Sequence, residues 1–310
     1  MITVLCGGFG GACFLRARSS VAAPERITAV VNTGGDDWFH GLYVSPDADI
    51  IAYTLADEAD EERGRGLRGD TYRWRDSLRR FGHETWFSIG DRDLATHIHR
   101  TRLLREGRTP SEIVAEIARA FGVDVRLLPM SDDRVRTVVE TEAGDLSFQE
   151  FLVQRRAADP VRAVRFDGAA ESRPAPAVLD AIRDAEAIFI APDDPIGGIG
   201  PILAIPGVRD ALRSAGARRV AISPIIGGRS PRAPAAELMA GLGFAVDVTG
   251  VARAYAGLID ALIVDPVDAA LALAVEAADV EAISAPSEMR DDASRKALAV
   301  AALDAAGVAN

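Results

Sequence analysis

The chain alternates short apolar runs, rich in β-branched residues, with segments whose apolar residues recur at helical spacing. The apolar runs predict strands over residues 2–6, 26–32, 187–191, 218–223, 261–264 and 280–284. Helices are predicted over residues 12–18, 176–184 and 206–214. Buried strands that alternate with helices form parallel sheets with helices packed on both faces. The pattern therefore predicts an α/β protein with a doubly wound, mainly parallel sheet.

Residues from about 86 to 165 follow a different pattern. A capping box at residues 109–112, Thr-Pro-Ser-Glu, predicts the start of a helix whose core positions are Ile113, Ile117 and Phe121. Residues 134–142 and 146–152 predict a hairpin that turns at Ala143-Gly144. No linker rich in Gly, Ser and Pro separates this region from its flanks. We therefore predict a single domain over residues 1–310, with residues 86–165 as an α+β insertion.

A glycine-rich string, GGFGG at residues 7–11, stands between the first predicted strand and helix. Such a loop lets the backbone approach phosphate oxygens, and the helix amino terminus adds N–H donors and a favourable dipole. A tight turn without a ligand is the alternative, since glycine is the usual residue at positive φ. Cys13 stands where the dinucleotide fingerprint needs a third small residue. The candidate binding residues are Gly7, Gly8, Gly10 and Gly11.

An acidic string, NTGGDDWFHGLYVSPDAD, follows the second predicted strand. Carboxylates at the carboxyl end of a parallel strand lie near ligands. The candidate site residues of this string, which we interpret as a loop, are Asn32, Asp36, Asp37, Trp38, His40 and Asp49. Hard carboxylates suit Mg²⁺ or Mn²⁺, and Asp36 and Asp37 are the candidate metal ligands.

Two features of this acidic string keep alternatives open. Trp38 and Phe39 either stack on a flat ligand or plug the core. His40 is either a ligand-binding group or a hydrogen-bonding scaffold residue.

Four further strings place polar side chains at or near predicted strand ends. Candidate binding residues in them are Asp91, Asp93, Thr96, His97, Arg134, Asp193, Asp194, Pro195, Ser223 and Gly227. Asp91 and Asp93 flank Arg92, so they either hold a metal or form an ion pair with that arginine. Arg134 either binds an anionic substrate or is neutralised by the adjacent Asp132 and Asp133.

The charge composition narrows the chemistry. The formal net charge of −11 argues against nonspecific nucleic-acid binding, which needs clustered cations. Lys296 is the only lysine, so phosphate recognition has to depend on arginine, backbone amides or a metal. A P-loop lysine is thereby excluded. Phosphoryl transfer assisted by Mg²⁺ is the leading chemistry.

Other classes find less support. Cys6 and Cys13 are too few for a cysteine-based zinc site, and neither HExxH nor Gly-x-Ser-x-Gly occurs. The amino terminus does not resemble a signal peptide, and the most apolar carboxyl-terminal stretch is interrupted by Asp265 and Asp268. We expect a soluble cytoplasmic protein without a membrane partner.

Five ordered strings resemble the 2-phospho-L-lactate transferase family of coenzyme F420 biosynthesis. They are GGFGGA, VVNTGGDDWFHGLYVSPDAD, IGDRDLATH, LLPMSDD and SPIIGG, and the resemblance runs from Met1 to about Ser287. Bacterial members of the family are thought to transfer a phosphoenolpyruvyl group.

The resemblance implies a Rossmann-like homodimer that uses Mg²⁺. It would transfer a 2-phospholactyl or phosphoenolpyruvyl group from a guanosine diphosphate derivative to the terminal ribityl hydroxyl of the deazaflavin Fo, releasing GMP. By the same resemblance, Asp49 contacts Fo and is the candidate for orienting or deprotonating that hydroxyl. Asp36 and Asp37 match an acidic pair near the transferred phosphate, and the loops 7–11, 192–201 and 223–228 match the nucleotide side.

Two departures from the family pattern affect substrate contacts. Ser88 stands where the family often has a lysine associated with Fo, so that contact is lost or supplied differently. Asp193 and Asp194 replace the Ser-Asn of the common Pro-Ser-Asn-Pro turn, beside the expected guanine site. Either carboxylate is able to accept hydrogen bonds from guanine.

Two alternative functions and the identity of the donor's acid remain to be considered at this point. A nonenzymatic sugar-nucleotide-binding regulator of the same superfamily would share the fold, although SPDAD and GDRDLATH favour a transferase. An NAD-dependent dehydrogenase lacks its fingerprint. The donor's acid is phospholactate, phosphoenolpyruvate or phosphoglycerate.

Overall fold

The computed structural model describes residues 1–21, 23–231 and 234–308. Its strands are β1 Ile2–Cys6, β2 Ile27–Val31, β3 Asp37–Phe39, β4 Leu42–Val44, β5 Arg126–Pro129, β6 Arg136–Thr141, β7 Gly144–Ser147, β8 Val161–Asp167, β9 Ala187–Ile190, β10 Arg218–Ile222, β11 Ala261–Val264 and β12 Glu281–Ser284.

The helices alternate with these strands along most of the chain. They are α1 Gly8–Val21, α2 Pro46–Leu55, α3 Arg73–Arg79, α4 Asp93–Arg105, α5 Pro110–Ala120, α6 Val178–Arg183, α7 Gly200–Ala204, α8 Val208–Ser214, α9 Ala235–Gly241, α10 Val248–Ala254, α11 Ala272–Glu276 and α12 Asp292–Ala306.

Seven strands form one parallel sheet in the order β12-β11-β10-β9-β1-β2-β5. The chain builds outward from β1 through β2 to β5, then crosses to β9 and builds outward in the opposite direction. The predicted Rossmann-like, doubly wound α/β fold is therefore confirmed. The direction of winding changes between β1 and β9, and ligands of such sheets bind outside the carboxyl ends of the strands at that point.

The sheet is covered on both faces because its central strands are apolar throughout. All five residues of β1 are buried, and alternate side chains point to opposite faces. Val4 packs in a cluster with Phe14 of α1 and Leu298 of α12. Leu5 packs in a second cluster with Ile202 of α7. This two-sided core holds the loops at the carboxyl ends of β1 and β9 in place.

Helix α1 begins earlier than the sequence pattern suggested. The predicted turn over residues 7–11 is wrong, because Gly8 already belongs to the helix. The glycines serve close packing: a Cβ at Gly10 would lie 2.3 Å from the carbonyl oxygen of Pro192, and one at Gly11 would lie 2.8 Å from Cβ of Cys6. The loop after β9 thus rests directly on the first turn of α1.

The acidic string after β2 is also more ordered than the predicted loop. It contains the β3–β4 hairpin and the first turn of α2. Pro46 occupies the first helical position after Ser45, which is a common helix start. Asp47 and Asp49 consequently lie in the first turn of a helix.

Most other predicted elements are confirmed, with small shifts at their ends. Thr109 and Glu112 form the predicted capping box of α5, and Ile113 and Ile117 are buried while Phe121 is partly buried. The predicted hairpin forms between β6 and β7. Its second strand is shorter than predicted, because residues 150–154 form a turn of π-helix.

The predicted insertion contributes strands to the parallel sheet and to a three-stranded antiparallel sheet. β5 pairs with β2 at the edge of the parallel sheet. β6, β7 and β8 form a separate antiparallel sheet. The domain boundaries stay a prediction. Among the described residues, no helix combines the length and apolarity needed to span a bilayer.

The contact between α1 and the loop after β9 predicts a strong effect of Gly10→Ala. Its methyl group would overlap the carbonyl of Pro192, so we expect a loss of about 1–3 kcal/mol in the free energy of unfolding. Urea denaturation measures this loss. Gly216→Ala is the control, because its Cβ meets nothing within 4 Å. Equal stability of the two variants would contradict this packing.

Candidate active site

Two carboxylates meet the glycine loop at the point where the sheet changes direction. A Cβ at Gly7 would lie 2.7 Å from Oδ2 of Asp193 and 2.9 Å from Oδ2 of Asp47. Asp193 follows β9, and Asp47 lies in the first turn of α2. Gly7 and Gly8 therefore lie against two acidic side chains at the carboxyl ends of β1 and β9, the place where such sheets form their ligand crevice. We call this place the crevice.

Asn32, which follows β2, forms hydrogen bonds to both α2 and the loop after β9. Its Nδ2 donates to Oδ2 of Asp47 at 2.8 Å and to the carbonyl oxygen of Gly197 at 3.2 Å. Its Oδ1 accepts from the N–H of Gly34 at 2.8 Å. Asn32 thus positions α2, the loop after β9 and the turn after β2 with one side chain.

Burial sets the proton affinity of these acids. Burial, then the charges of Asp47 and Asp194, raises the pKa of Asp193 to about 8. Burial likewise raises the pKa of Asp47 to about 6, although hydrogen bonds from Gly8 and Asn32 oppose the shift. Burial raises the pKa of Asp194 to about 6 as well. A buried carboxyl without a cation favours its neutral form.

Asp194 and Pro195 continue this loop. Oδ1 of Asp194 accepts from the N–H of Ile196 at 2.9 Å, while its Oδ2 is buried without a hydrogen-bond partner in the described parts of the chain. Ser223 and Gly227 lie in the loop after β10. Ser223 Oγ donates to the carbonyl oxygen of Ile225, and the Gly227 N–H donates to Asp268.

Asp36 and Asp37 are adjacent but have different surroundings. Asp36 is buried, and its Oδ2 accepts from Ser45 Oγ at 2.6 Å. Its Oδ1 is buried with no partner in residues 1–21, 23–231 and 234–308. Burial raises the pKa of Asp36 well above its usual range. An unpaired buried carboxylate oxygen fits a divalent cation, which would compensate its charge.

Asp37 instead pairs with arginines from the segment before β6 and from β6 itself. Arg134 Nη2 lies 3.1 Å from its Oδ1, and Arg136 Nη2 lies 3.5 Å from its Oδ2. Neutralisation of Arg134 by its neighbours is therefore wrong. Asp132 accepts from Ser111, and Asp133 accepts from the backbone N–H of Arg173.

Asp49 is held in a buried polar network beneath the crevice. Both of its oxygens accept hydrogen bonds from Arg100 of α4. Arg100 also donates to Nδ1 of His97, whose Nε2 lies 3.3 Å from Asp93. Tyr53 donates to Asp93 at 2.7 Å. The carboxyl group of Asp49 is thus held in place by Arg100 through both of its oxygens.

A cavity of about 300 Å³, here called the aromatic cavity, opens between the β3–β4 hairpin and the segment around residue 86. Its lining includes Asp37, Trp38, Phe39, His40, Trp86 and Phe87. Trp38 is 43% exposed, whereas Phe39 is buried and stacks on Phe87 with ring centroids 3.7 Å apart. His40 bonds through Nε2 to the carbonyl oxygen of Phe87 at 2.9 Å. Phe39 is therefore the core plug, and Trp38 is available to a ligand.

Three predicted site residues have mainly structural contacts. Asp91 accepts backbone hydrogen bonds from Arg73 and Trp74 at the start of α3, instead of pairing with Arg92. Thr96 lines a different cavity, on the side of α4 that faces α5. Ser88 accepts a hydrogen bond from Arg75 at 3.3 Å, so an arginine lies where the family often has a lysine.

The sequence interpretation omitted Asp47, Arg100, Arg136 and Arg75 from the site. Only Asp47 carried a local signal, because it follows Ser-Pro at a helix start. Arg100 lies three residues after His97 on one face of α4, which was a weaker signal. The two other arginines reach the site through the tertiary fold.

The sequence profile of the family described as 2-phospho-L-lactate transferase CofD matches residues 2–304. A phosphoenolpyruvate transferase from Streptomyces griseus subsp. griseus is 42% identical over 98% of each chain. A 2-phospho-L-lactate transferase from Methanothermobacter thermautotrophicus is 40% identical over 87% of each chain. A crystal structure of a UPF0052 family protein from Bacillus halodurans shares the fold, with a TM-score of 0.65, 17% identity and coverage of 97% and 98%.

The Rossmann-like sheet and the family match together define the class of this protein as a transferase. The chain belongs to the 2-phospho-L-lactate transferase CofD family, which confirms the resemblance seen in its sequence strings. It is accordingly a transferase of coenzyme F420 biosynthesis.

The buried ion pair between Asp49 and Arg100 predicts that Arg100→Met is destabilising. Removal of the guanidinium leaves Asp49 buried and unpaired, which costs about 3–5 kcal/mol. Chemical denaturation measures the loss. Arg102→Met is the matched control, because Arg102 is 73% exposed and forms only a surface pair. The Asp49→Asn/Arg100→Met double variant should recover part of the loss; purely additive effects would contradict the pairing.

The raised pKa of Asp194 predicts a pH-dependent gain from Asp194→Asn. The native carboxyl binds its proton more tightly than the unfolded one, so its contribution is full below about pH 4 and is lost as pH rises through about 6. We expect the stability of the variant relative to the wild type to increase by about 2 kcal/mol between pH 4.5 and pH 8. Thermal unfolding across this range tests it. Asp180→Asn, at a 75% exposed side chain, should show no such change.

Proposed function

We propose that this enzyme transfers a 2-phospholactyl or phosphoenolpyruvyl group from a guanosine diphosphate derivative to the terminal ribityl hydroxyl of Fo, releasing GMP. The observation that carries the proposal is the position of Asp36, between the aromatic cavity and the helix that reaches the glycine loop. Asp37 lines the aromatic cavity, while its neighbour Asp36 bonds to Ser45 at the start of α2. The same helix carries Asp47 to the glycine loop. A donor phosphate and an acceptor hydroxyl would meet beside Asp36.

The aromatic cavity suits the flat ring of Fo. Trp38 presents an exposed ring at this cavity, and Tyr43 supports it edge-on with ring centroids 5.4 Å apart. Aromatic rings contribute both contact area and stacking geometry to ligand binding. A volume of about 300 Å³ is at the lower end of the range for small-molecule sites, so the ribityl chain would extend towards Asp36.

The glycine loop suits the nucleotide phosphate. Gly7 and Gly8 lie at the amino terminus of α1, where N–H groups and the helix dipole favour an anion. Asn32 anchors the loop after β9 against this terminus. The guanosine would extend from there along that loop and the loop after β10.

Arginine replaces lysine as the source of positive charge. Arg134 and Arg136 lie beside Asp37 at the aromatic cavity, and Arg134 is 53% exposed. A guanidinium binds a carboxylate or a phosphate in a bidentate manner. These residues would orient the organic acid of the donor. Arg75 would supply the cation near Fo that Ser88 lacks.

Asp36 is the residue that would hold Mg²⁺. Asp37 is already paired with two arginines, whereas Oδ1 of Asp36 has no partner within the described ranges. No three acidic, histidine or cysteine side chains of the described chain converge on one metal position. Mg²⁺ needs only one or two carboxylates when waters and substrate phosphates complete its shell. When bound, it would neutralise phosphate oxygens.

Asp49 would orient the acceptor through the network and would not take its proton. Its carboxylate is bound by Arg100 through both oxygens. Phosphoryl transfer through a loose transition state depends mainly on positioning and charge stabilisation. The fixed Asp49 and the rigid glycine loop supply positioning, and the arginines supply charge. The homodimeric state implied by the resemblance stays a prediction.

The test is GMP release by the purified protein. With Fo, Mg²⁺ and a guanosine diphosphate-linked donor, we expect GMP together with a phosphodiester of Fo, identified by chromatography and mass spectrometry. Omission of Fo or chelation of Mg²⁺ should stop GMP release. Comparison of the phospholactyl, phosphoenolpyruvyl and phosphoglyceryl donors identifies the acid.

Two variants accompany this assay. Asp36→Asn should lower turnover by about 100-fold or more, because charge stabilisation of the transferring group is lost. Asp180→Asn, at an exposed position of α6, should match the wild type. Nucleotide binding without GMP release under all conditions would contradict the transferase and support the regulator.

A further inference from the structure

Asp193 occupies the place where the proposed function puts a phosphate. Its carboxyl group is enclosed by three glycines: a Cβ at Gly7, Gly8 or Gly198 would lie 2.7, 3.2 or 2.8 Å from its nearest atom. The N–H of Gly7 faces this carboxyl group. Its Oδ2 is buried and completes no hydrogen bond within the described residues. The side chain therefore borders the same amides that would receive an anionic ligand.

Within residues 1–21, 23–231 and 234–308, the groups that face Asp193 offer no compensating cation. Asp47 approaches from α2, Cys6 from the end of β1, and Tyr255 from the end of α10. Asp194 is its neighbour in the loop and donates a backbone N–H to Oδ1 at 2.9 Å. Each of these side chains is acidic or neutral. A charged Asp193 and a bound phosphate would repel each other at short range in a water-poor crevice.

We propose that Asp193 is a specificity-determining residue of the glycine loop, which admits a phosphate only when this carboxyl group is uncharged. Phosphate binding is therefore coupled to the uptake of one proton. In the neutral form, the hydroxyl of the carboxyl group becomes a donor to the phosphate, and the unpaired Oδ2 gains a partner. The inference rests on the proposed function, since it assumes that the nucleotide phosphate binds at Gly7 and Gly8.

A cation held between Asp47 and Asp193 is the competing arrangement. The amino terminus of α1 opposes it, because its N–H groups and dipole face both carboxyl groups. The same N–H groups favour an anion. A neutral Asp193 removes the repulsion between the neighbouring carboxyl groups and leaves the helix terminus free to bind an anion. A trapped cation would remove the repulsion between the carboxyl groups, but it would lie against the positive end of the helix dipole.

The experiment is calorimetric titration with GMP between pH 7 and pH 9, in the presence of EDTA to remove divalent cations. Because the pKa of Asp193 is about 8, the dissociation constant of the wild type should rise about tenfold across this range. Asp193→Asn should change less than about twofold, since an amide does not titrate there. Ionisation of GMP itself affects the dissociation constants of both proteins equally, so it cancels when the wild type is compared with Asp193→Asn. Asp210→Asn, at an 85% exposed side chain, is the control and should behave as the wild type.

Proton uptake is measured directly in two buffers with different heats of ionisation. At pH 8 the wild type should take up about half a proton per GMP, and at pH 9 nearly one. Asp193→Asn should take up none. Asp193→Ser serves as a second variant without the carboxyl group if the asparagine variant does not fold.

The outcomes distinguish a failure of the inference about Asp193 from a failure of the proposed function. GMP binding by the wild type with no pH dependence, or with the same dependence in Asp193→Asn, would overturn this inference and leave the transferase intact. Restoration of wild-type affinity at pH 9 by Mg²⁺ alone would also overturn it, in favour of a trapped cation. No GMP binding by any variant at any pH would overturn the proposed nucleotide site and this inference together.

Discussion

The burial of carboxyl groups around the amino terminus of α1 is the constraint on which this structure depends. Asp36, Asp193 and Asp194 are buried and Asp47 is partly buried, and burial raises the pKa of each. Of these four and Asp49, only Asp49 forms an ion pair with an arginine within the described part of the chain. A buried anion is costly unless a proton, a cation or several N–H donors compensate it. The glycines, Asn32 and the helix terminus supply the donors, and the remaining charge is left for protons or ligands to neutralise.

Under the proposed function, this constraint would govern how an acidic, lysine-poor chain binds a phosphorylated substrate. The helix terminus would attract the phosphate, while the carboxyl groups around it would repel any anion that arrives without a cation or a proton. Mg²⁺ at Asp36 and a proton at Asp193 would remove that repulsion at two separate positions. Arg134 and Arg136, paired with Asp37 at the aromatic cavity, keep positive charge close to the acceptor side. Such a site would select substrates by charge balance as well as by shape.

Local sequence signals were enough for the sheet, the start of α5 and the acidic edge, because each depends on neighbouring residues. Strand periodicity and the capping box at Thr109 belong to this group. The starts of α1 and α2 were not predicted, because their first turns depend on packing against the loop after β9 and on contacts with Asn32. The roles of individual side chains were not predictable in the same way. Asp36 and Asp37 are indistinguishable in sequence, yet one faces Ser45 and the other faces arginines about a hundred residues away. Likewise, the partner of Asp49 is Arg100, which only the packing of α4 against the hairpin brings near. Trp38 and Phe39 differ because strand alternation sends one ring outward and the other inward.

The most direct test of this account is infrared difference spectroscopy of the ligand-free protein between pH 7 and pH 9. If the buried acids of the crevice are neutral, the spectrum will show a protonated carboxyl C=O band at pH 7 that converts to carboxylate bands near pH 8. That conversion should be missing from a protein without the Asp193 carboxyl group. A wild-type spectrum with only carboxylate bands at pH 7 would contradict the account.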